Sequence, residues 1–415
     1  MNQAELGRRL REARELCGSS QQEAAVAIGA PRTAITQIEA GNRAVSTLEL
    51  TRLAKLYRVN VTHFFFEDEE VEDISVILHR SESGLDGDPA IRQKIKHCLD
   101  LCRKGREIEK LLMGETERMP PFYNLATPRN TGEAVAQAEQ VAAQERRRLG
   151  IETMPITDMA ELLATQGIWV AGTCLPDKVS GLFWHHRSLG LAILVNADHV
   201  RARRRFSYAH EYAHALMDRF GQTMNVSSTD NASDNIEKRA NSFAAAFLMP
   251  KAGISEFLQA MDKGQPSKRE QSIFDVANNG RIDTQWRSAP GSQTITYKDA
   301  ATLAHHFGVS YQAAVYRLSS LDFLSRNECT ELLKQEEVGR RYLHLLGMDK
   351  DLDGSDDDLN VQKRELKGQL ISLAIEAYRR EMWSRGQLLD LGDDLDLKEE
   401  EKETLLDLAS QAKTS

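Results

Sequence analysis

Residues 201–220 read RARRRFSYAHEYAHALMDRF, and inside them His210-Glu211-Tyr212-Ala213-His214 is an HExxH pattern. No Gly or Pro interrupts the stretch, which predicts a helix. One helical turn separates the histidines, so both imidazoles leave the same face and close on one Zn²⁺, with Glu211 beside them as general base. With 11 His in 415 residues, chance yields such a pentapeptide with a probability on the order of one or two per hundred, so the motif needs context. Ala209, Ala213 and Ala215 surround it with small side chains that permit close backbone approach at an enclosed site.

A second helix follows at 235–250, NIEKRANSFAAAFLMP, whose Ala240, Phe243, Ala244 and Phe247 make an apolar face. Glu237 lies one turn before Ala240 on a neighbouring part of that face. A carboxylate there is costly unless it is paired or holds a metal, which makes Glu237 the candidate third ligand. Three protein ligands leave one coordination position open, as a hydrolytic site requires. Tyr212, Arg205, His185 and His186 are candidate donors for a developing oxyanion, unranked by sequence, each with a structural role as the competing reading. Ahead of the motif, a pattern beginning at Gly132 gives an alanine-rich helix, EAVAQAEQVAAQERRRLGI, then a helix around MAELLATQ. IWVAG, VSGLFWHH and LAILVN follow as short strands. The expected fold class is mainly α with a small β-sheet: a helix-turn-helix bundle, an α+β zincin-like metallopeptidase domain and a helical C-terminal region.

Residues 1–66 carry nine Lys/Arg against six acids, a net of +3 in a chain whose total is −9, leaving −12 for the remainder. A basic head on an acidic body is expected when only the head meets phosphate. Leu6, Leu10 and Ala13 share one face of a first helix. Ser20 caps a second, QQEAAVAIG, and RTAITQIEAG makes a third after the turn Gly29-Ala30-Pro31. Helices this short must share a core with TLELTRLAKLYRV and VTHFFF, giving a helix-turn-helix unit.

SQQEAAVAIGAPRTAITQIEAGNR resembles the lambda-repressor-like XRE domain across residues 1 to about 66. That resemblance implies that Gln21, Arg32, Thr33, Thr36 and Gln37 face the DNA major groove and that Arg43 lies near the backbone. Arg, Gln and Thr are chemically suited to guanine, adenine and thymine-methyl or phosphate contacts. The competing reading is a bundle that makes protein contacts only. RRRFSYAHEYAHALMD, EKRANSFAAAFLMP, VSGLFW and LAILVN together resemble the ImmA/IrrE family of metallo-endopeptidases, clearly over about 132–250 and weakly to about 325. The resemblance implies that His210, His214 and Glu237 bind Zn²⁺ and that Glu211 activates water. Family members are associated with cleavage of repressor proteins in DNA-damage responses and mobile elements.

The expected organisation is 1–66 as an XRE-type DNA-binding domain, 67–131 as an acidic linker and helical spacer, 132–325 as the metallopeptidase domain, and 326–415 as a helical region with an acidic tail. Within the third of these, 258–295 lacks sustained periodicity and reads as a mobile insertion or a solvated loop. The helix at about 88–112 is a spacer or a dimer helix; its stripe of Ile91, Ile95, Cys98, Leu99 and Cys102 does not choose. His97, Cys98 and Cys102 offer no fourth ligand and read as packing. LAHHFGVSYQAAVYRL echoes a helix-turn-helix, but its Ala/Val-rich second helix reads as core. Asp349 to Gly354 imitates a calcium loop but places Asn360 where a bidentate Glu belongs, so it reads as solvated. The tail docks on the catalytic domain or mediates self-association.

No stretch reaches the apolar length of a membrane helix, and MNQAELGRRLREAREL lacks an apolar signal core, so a cytoplasmic location is expected. Five scattered cysteines argue against a disulfide framework. The reading is a DNA-binding zinc endopeptidase acting on a protein substrate, a repressor or itself, with a homodimer expected and no membrane partner. The alternative is a non-proteolytic transcriptional regulator or antitoxin-like module with a metal-binding sensor domain.

Overall fold

Ser20 starts the second helix of the head by a reciprocal cap: its hydroxyl accepts from the Glu23 N–H, and its own N–H donates to the Glu23 carboxylate at 2.7 Å. Gly29, at φ 70°, closes that helix in the left-handed conformation, and Pro31 opens the next. In the computed structural model the described residues are 3–16, 19–57, 61–64, 89–114, 118–186, 189–219, 224–228, 233–263, 269–275, 280–286, 292–348 and 358–411. They divide between two units, Met1–Asp73 and Ile74–Ser415.

The first unit comprises helices Gln3–Leu16, Gln21–Ile28, Arg32–Glu39 and Thr47–Tyr57 and a 3₁₀ turn at Val61–Phe64. Leu10, Ile35, Ile38, Leu53, Tyr57 and Phe64 are buried together, so each short helix is held by its neighbours. The Arg14 guanidinium donates to Glu39 at 2.6 Å, tying the first helix to the third.

The second unit is built on a four-stranded sheet of β1 (Ile168–Thr173), β2 (Val179–His186), β3 (Gly190–Asn196) and β4 (Met224–Ser228), in the order β1-β3-β2-β4. β1 runs parallel to β3, and the other pairs are antiparallel. Side chains alternate across a strand, and here both faces are buried. Ile168, Val170, Phe183, Leu191, Ile193 and Val195 face one core, shared with the alanine helix (Thr131–Arg148), the histidine helix (Arg201–Met217) and the glutamate helix (Asn235–Leu248). Trp169, Ala171, Leu182, Trp184, Ala192 and Leu194 face another.

That second face is covered by Pro89–Met113 together with Asp358–Arg379, Arg385–Asp394 and Glu399–Gln411. The helix read as a spacer or dimer element is thus an interior layer, and the tail docks on the same sheet. Gly105 makes this possible: a Cβ there would lie 2.4 Å from the Trp169 ring and 2.7 Å from Leu370. Cys102 is fully buried in this core, and burial pushes the Cys98 thiol up to about 11, so both pack as apolar residues.

One expectation needs correction. Residues 258–295 contain an antiparallel hairpin, β5 (Arg269–Asp275) and β6 (Gly280–Trp286), where a loop was expected. A hairpin ladder is made by backbone groups, so a weak apolar period conceals it. β4 was likewise unforeseen: MNVSS is short and polar. The helix-turn-helix echo, in contrast, is core, with Ala304, Phe307, Ala314, Val315 and Leu318 all buried. The acidic run at 67–75 and the calcium-like stretch at 349–357 lie outside the described residues.

Candidate metal centre

The Tyr208-to-Met217 portion of the histidine helix is buried, because it lies between the sheet and the glutamate helix. His210 and His214 project from the same face, their rings 5.0 Å apart between centroids. Glu237 reaches them from the glutamate helix. His210 Nε2 is 3.1 Å from Glu237 Oε2, His214 Nε2 is 3.2 Å from His210 Nε2, and His214 Nε2 is 3.6 Å from Glu237 Oε1. Among the described residues this is the one His/Cys/Asp/Glu group with metal-ligating geometry.

The spacing fits an ion. Donors at tetrahedral angles about 2.0–2.1 Å from one centre lie about 3.3 Å apart, close to the 3.1, 3.2 and 3.6 Å found here. The outer nitrogens agree. His210 Nδ1 faces the Asn241 carbonyl oxygen at 3.0 Å, and His214 Nδ1 faces Asp218 Oδ2 at 3.0 Å. With a hydrogen directed outward from each Nδ1, Nε2 is the atom each imidazole turns toward its partner and the Glu237 carboxylate, where a proton or a cation can lie between them.

Electrostatics give the same demand. Burial works against ionisation of Glu237, but the hydrogen bonds to His210 and His214 hold its carboxyl well below the usual carboxylate range. Burial pulls His214 down, yet the hydrogen bonds to Asp218 and Glu237 and the charges of Glu237 and Glu211 push it up to about 10. Three carboxylates therefore call for positive charge at the imidazoles, which a proton or a divalent cation supplies.

Glu211 is fully buried, and neither carboxylate oxygen has a hydrogen-bond partner of good geometry. Burial pushes its pKa up, the direction a general base needs. Its floor is the β2–β4 rung where Gly181 faces Ser227. A Cβ on Gly181 would lie 2.7 Å from Glu211 Oε1, so the carboxylate occupies the space a side chain would fill. The buried Ser227 hydroxyl lies beside it and opposes that rise, although neither group makes a hydrogen bond of good geometry.

Of the proposed oxyanion donors, Tyr212 points elsewhere: its hydroxyl donates to the buried Glu145, which also accepts from Tyr123 at 3.0 Å and from Arg148. Arg205 is likewise committed, donating to the Ile156, Thr157 and Phe307 carbonyls. His185 Nδ1 lies 3.0 Å from the Arg219 carbonyl, while His186 is half-buried at the end of β2. Sequence reasoning missed Asp218, Arg239, Asn241, Gly181 and Ser227. Two had a signal, since Asp218 is four residues beyond His214 and Asn241 four beyond Glu237, each one turn along the same helix face.

In the head, Arg32, Thr33, Thr36 and Gln37 are exposed on the third helix, opposite the buried Ile35 and Ile38. Gln21 is half-buried and donates to Glu39 at 2.8 Å. Arg43 pairs with Glu49 at 2.8 Å.

Residues 165–319 match the Peptidase_M78 family, described as an IrrE N-terminal-like domain, and residues 5–63 match a helix-turn-helix domain. Those are the two parts that the XRE and ImmA/IrrE resemblances implied. The IrrE N-terminal-like match is confined to residues 165–319. The whole metal-ligating group and Glu211 fall inside that domain. The helices covering the tryptophan face of its sheet, Pro89–Met113 and Asp358 onward, lie outside the matched span. The curated relatives include the HTH-type transcriptional regulator PuuR of Escherichia coli (strain K12) and of Shigella flexneri. Each is 30% identical over 91 residues, 22% of this chain and 49% of the relative. The chain thus spans about half the length of the curated relatives it matches. Among solved structures, Bacillus thuringiensis PlcR in complex with the peptide PapR7 and DNA aligns over 99% of this chain and 94% of that one at 14% identity. Its TM-score of 0.16 carries no argument.

Proposed function

We propose that this chain is a DNA-binding zinc endopeptidase whose IrrE-like domain cleaves a regulatory protein, a repressor or itself, in a stress, DNA-damage or mobile-element response. The observation that carries the reading is the convergence of His210, His214 and Glu237 beside a buried Glu211 carboxylate that, among the described residues, has no hydrogen-bond partner of good geometry. A purely structural site has no use for such a base and usually closes its fourth position with Cys or His. Bound to those three residues, zinc supplies Lewis acidity toward a peptide carbonyl and toward water.

The protein's own part follows from position. Glu211 accepts the proton of the attacking water on a carboxylate oxygen and delivers it to the departing amine. Asn241 and Asp218 hold the two imidazoles in the tautomer that presents Nε2. The dry walls around Glu211, with Gly181 against its carboxylate, keep its proton affinity high enough for both transfers. The head supplies DNA recognition, with Arg32, Thr33, Thr36 and Gln37 toward the major groove, Gln21 at the helix entrance and Arg43 near phosphate, acting as a dimer on paired half-sites. A DNA-binding role implies a cytoplasmic site of action, and no described helix is long and apolar enough to cross a membrane.

The test measures bound metal and then incubates wild type and Glu211→Gln with proteins encoded nearby, with and without single- or double-stranded DNA. Zinc near one equivalent in both proteins, with cleavage by wild type alone, is the expected result. Absence of zinc binding, or equal cleavage by Glu211→Gln, refutes the enzyme and favours a regulator with a metal-binding sensor.

A further inference from the structure

Among the described residues Arg239 is the largest fully buried side chain, and it sits two residues beyond Glu237 on the glutamate helix. A buried guanidinium is costly unless its charge is matched and its donors are used. One terminal nitrogen donates to Gln137 Oε1 of the alanine helix at 2.8 Å, and the other donates to Asp218 Oδ1 at the end of the histidine helix. The second oxygen of the same carboxylate, Asp218 Oδ2, faces His214 Nδ1 at 3.0 Å. Asp218 is thus shared: one oxygen neutralises Arg239 and the other orients the imidazole.

We propose that Arg239 and Asp218 are positioning residues for the metal ligands, a clamp running Gln137–Arg239–Asp218–His214 that sets the imidazole and registers the glutamate helix against the histidine helix. This rests on the zinc reading above. The geometry explains why one clamp serves both ligand sources. Glu237 and Arg239 lie on one helical turn, so the bond that pins Arg239 to Asp218 fixes how far Glu237 reaches toward the His210–His214 pair. Asp218 alone would orient His214; joined to Arg239 it also links the third ligand to the first two. The fixed fork of the guanidinium makes the link directional, since its two terminal nitrogens address two different helices at once. Neither residue belongs to the metal-ligating group itself, so both act through the ligands.

The test is metal affinity, measured by competition with a chromogenic chelator on the full chain, together with thermal unfolding of the metal-stripped proteins. Outer partners of a ligating histidine typically change metal affinity by about 10–100-fold when removed. Asp218→Asn and Arg239→Gln are each expected to weaken zinc binding by about that factor. The double variant should lose no more than the worse single one, because the two residues act as one unit. Metal-free Asp218→Asn should still melt cooperatively, since it changes one atom of a side chain that is 19% exposed. It carries the test should Arg239→Gln fail to fold. Asp218→Glu, which restores the charge at a different length, should recover part of the affinity. Wild-type zinc affinity in a folded Asp218→Asn protein overturns the clamp, as does a loss in the double variant equal to the product of the single losses. Wild type that binds no zinc overturns the enzyme reading instead.

Discussion

Replacing Gly181 with alanine isolates the contact between the β2 strand and the general-base candidate. A Cβ at this position would stand 2.7 Å from Glu211 Oε1, 3.0 Å from Cγ and 3.1 Å from Cδ. Ordinary carbon–oxygen contact is about 3.4 Å, so the carboxylate must retreat by roughly 0.5–1 Å. It has nowhere to go, because Glu211 is 0% exposed. Gly181 is not at positive φ, so the strand backbone itself accepts alanine and the whole cost comes from this clash. Overpacking of this size costs about 1–3 kcal/mol. The assay is a double-mutant cycle in urea: Gly181→Ala is measured in the wild-type background and again in Glu211→Ala, where the carboxylate is gone. The cost should appear in the first and fall to about 0.5 kcal/mol or less in the second, a coupling of about 1–3 kcal/mol. Equal costs in both backgrounds, or no cost in either, refute the packing argument. In a cleavage assay the same single variant should keep its zinc and lose about 10- to 100-fold in kcat, since displacing a catalytic group by about 1 Å costs up to that much.

Other consequences are open to measurement. Leu370, fully buried against Gly105 and Trp169, should cost about 2–5 kcal/mol as Leu370→Ala; a change under about 0.5 kcal/mol in urea unfolding means the tail is not a structural layer. Arg32→Ala or Gln37→Ala should weaken binding to the cognate DNA site by about 1–3 kcal/mol in fluorescence anisotropy. Arg43→Ala should weaken it less, because Glu49 already competes for that guanidinium. The Glu23 and Glu49 carboxyls are held below their ordinary range, first by the backbone N–H groups of Ser20 and Ser46. A lowered folded-state pKa stabilises the head fully above the unfolded value of about 4.3, and that contribution drains away as pH falls through the folded one. The urea midpoint of the head should therefore drop below about pH 4, and drop less steeply in Glu23→Gln/Glu49→Gln; identical slopes would contradict this.

How much of the protein was legible depends on the range of the forces involved. Both helix-turn-helix caps, the histidine helix and three strands follow from rules spanning a few residues: Ser20 with Glu23, Gly29 after Ile28, His210 with His214, and the alternation through Ile168–Val170 and Leu191–Val195. Glu237 was readable for a different reason, since an acid on an apolar face carries a cost that announces a partner. β4 and the β5–β6 hairpin were not, because backbone pairing leaves little side-chain period. The stripe on Pro89–Met113 told of a buried face without saying what buries it, since an apolar face fits any apolar partner equally well.

The chain order alone determined which candidate ligands share a face, because spacing along a helix fixes it. Only the tertiary structure decided their company: Asp218 behind His214, Arg239 between two helices, Gly181 beneath Glu211, and Tyr212 turned away to Glu145. These contacts join residues from different segments, and their strength depends on distances and burial that exist only once the helices have closed on the sheet.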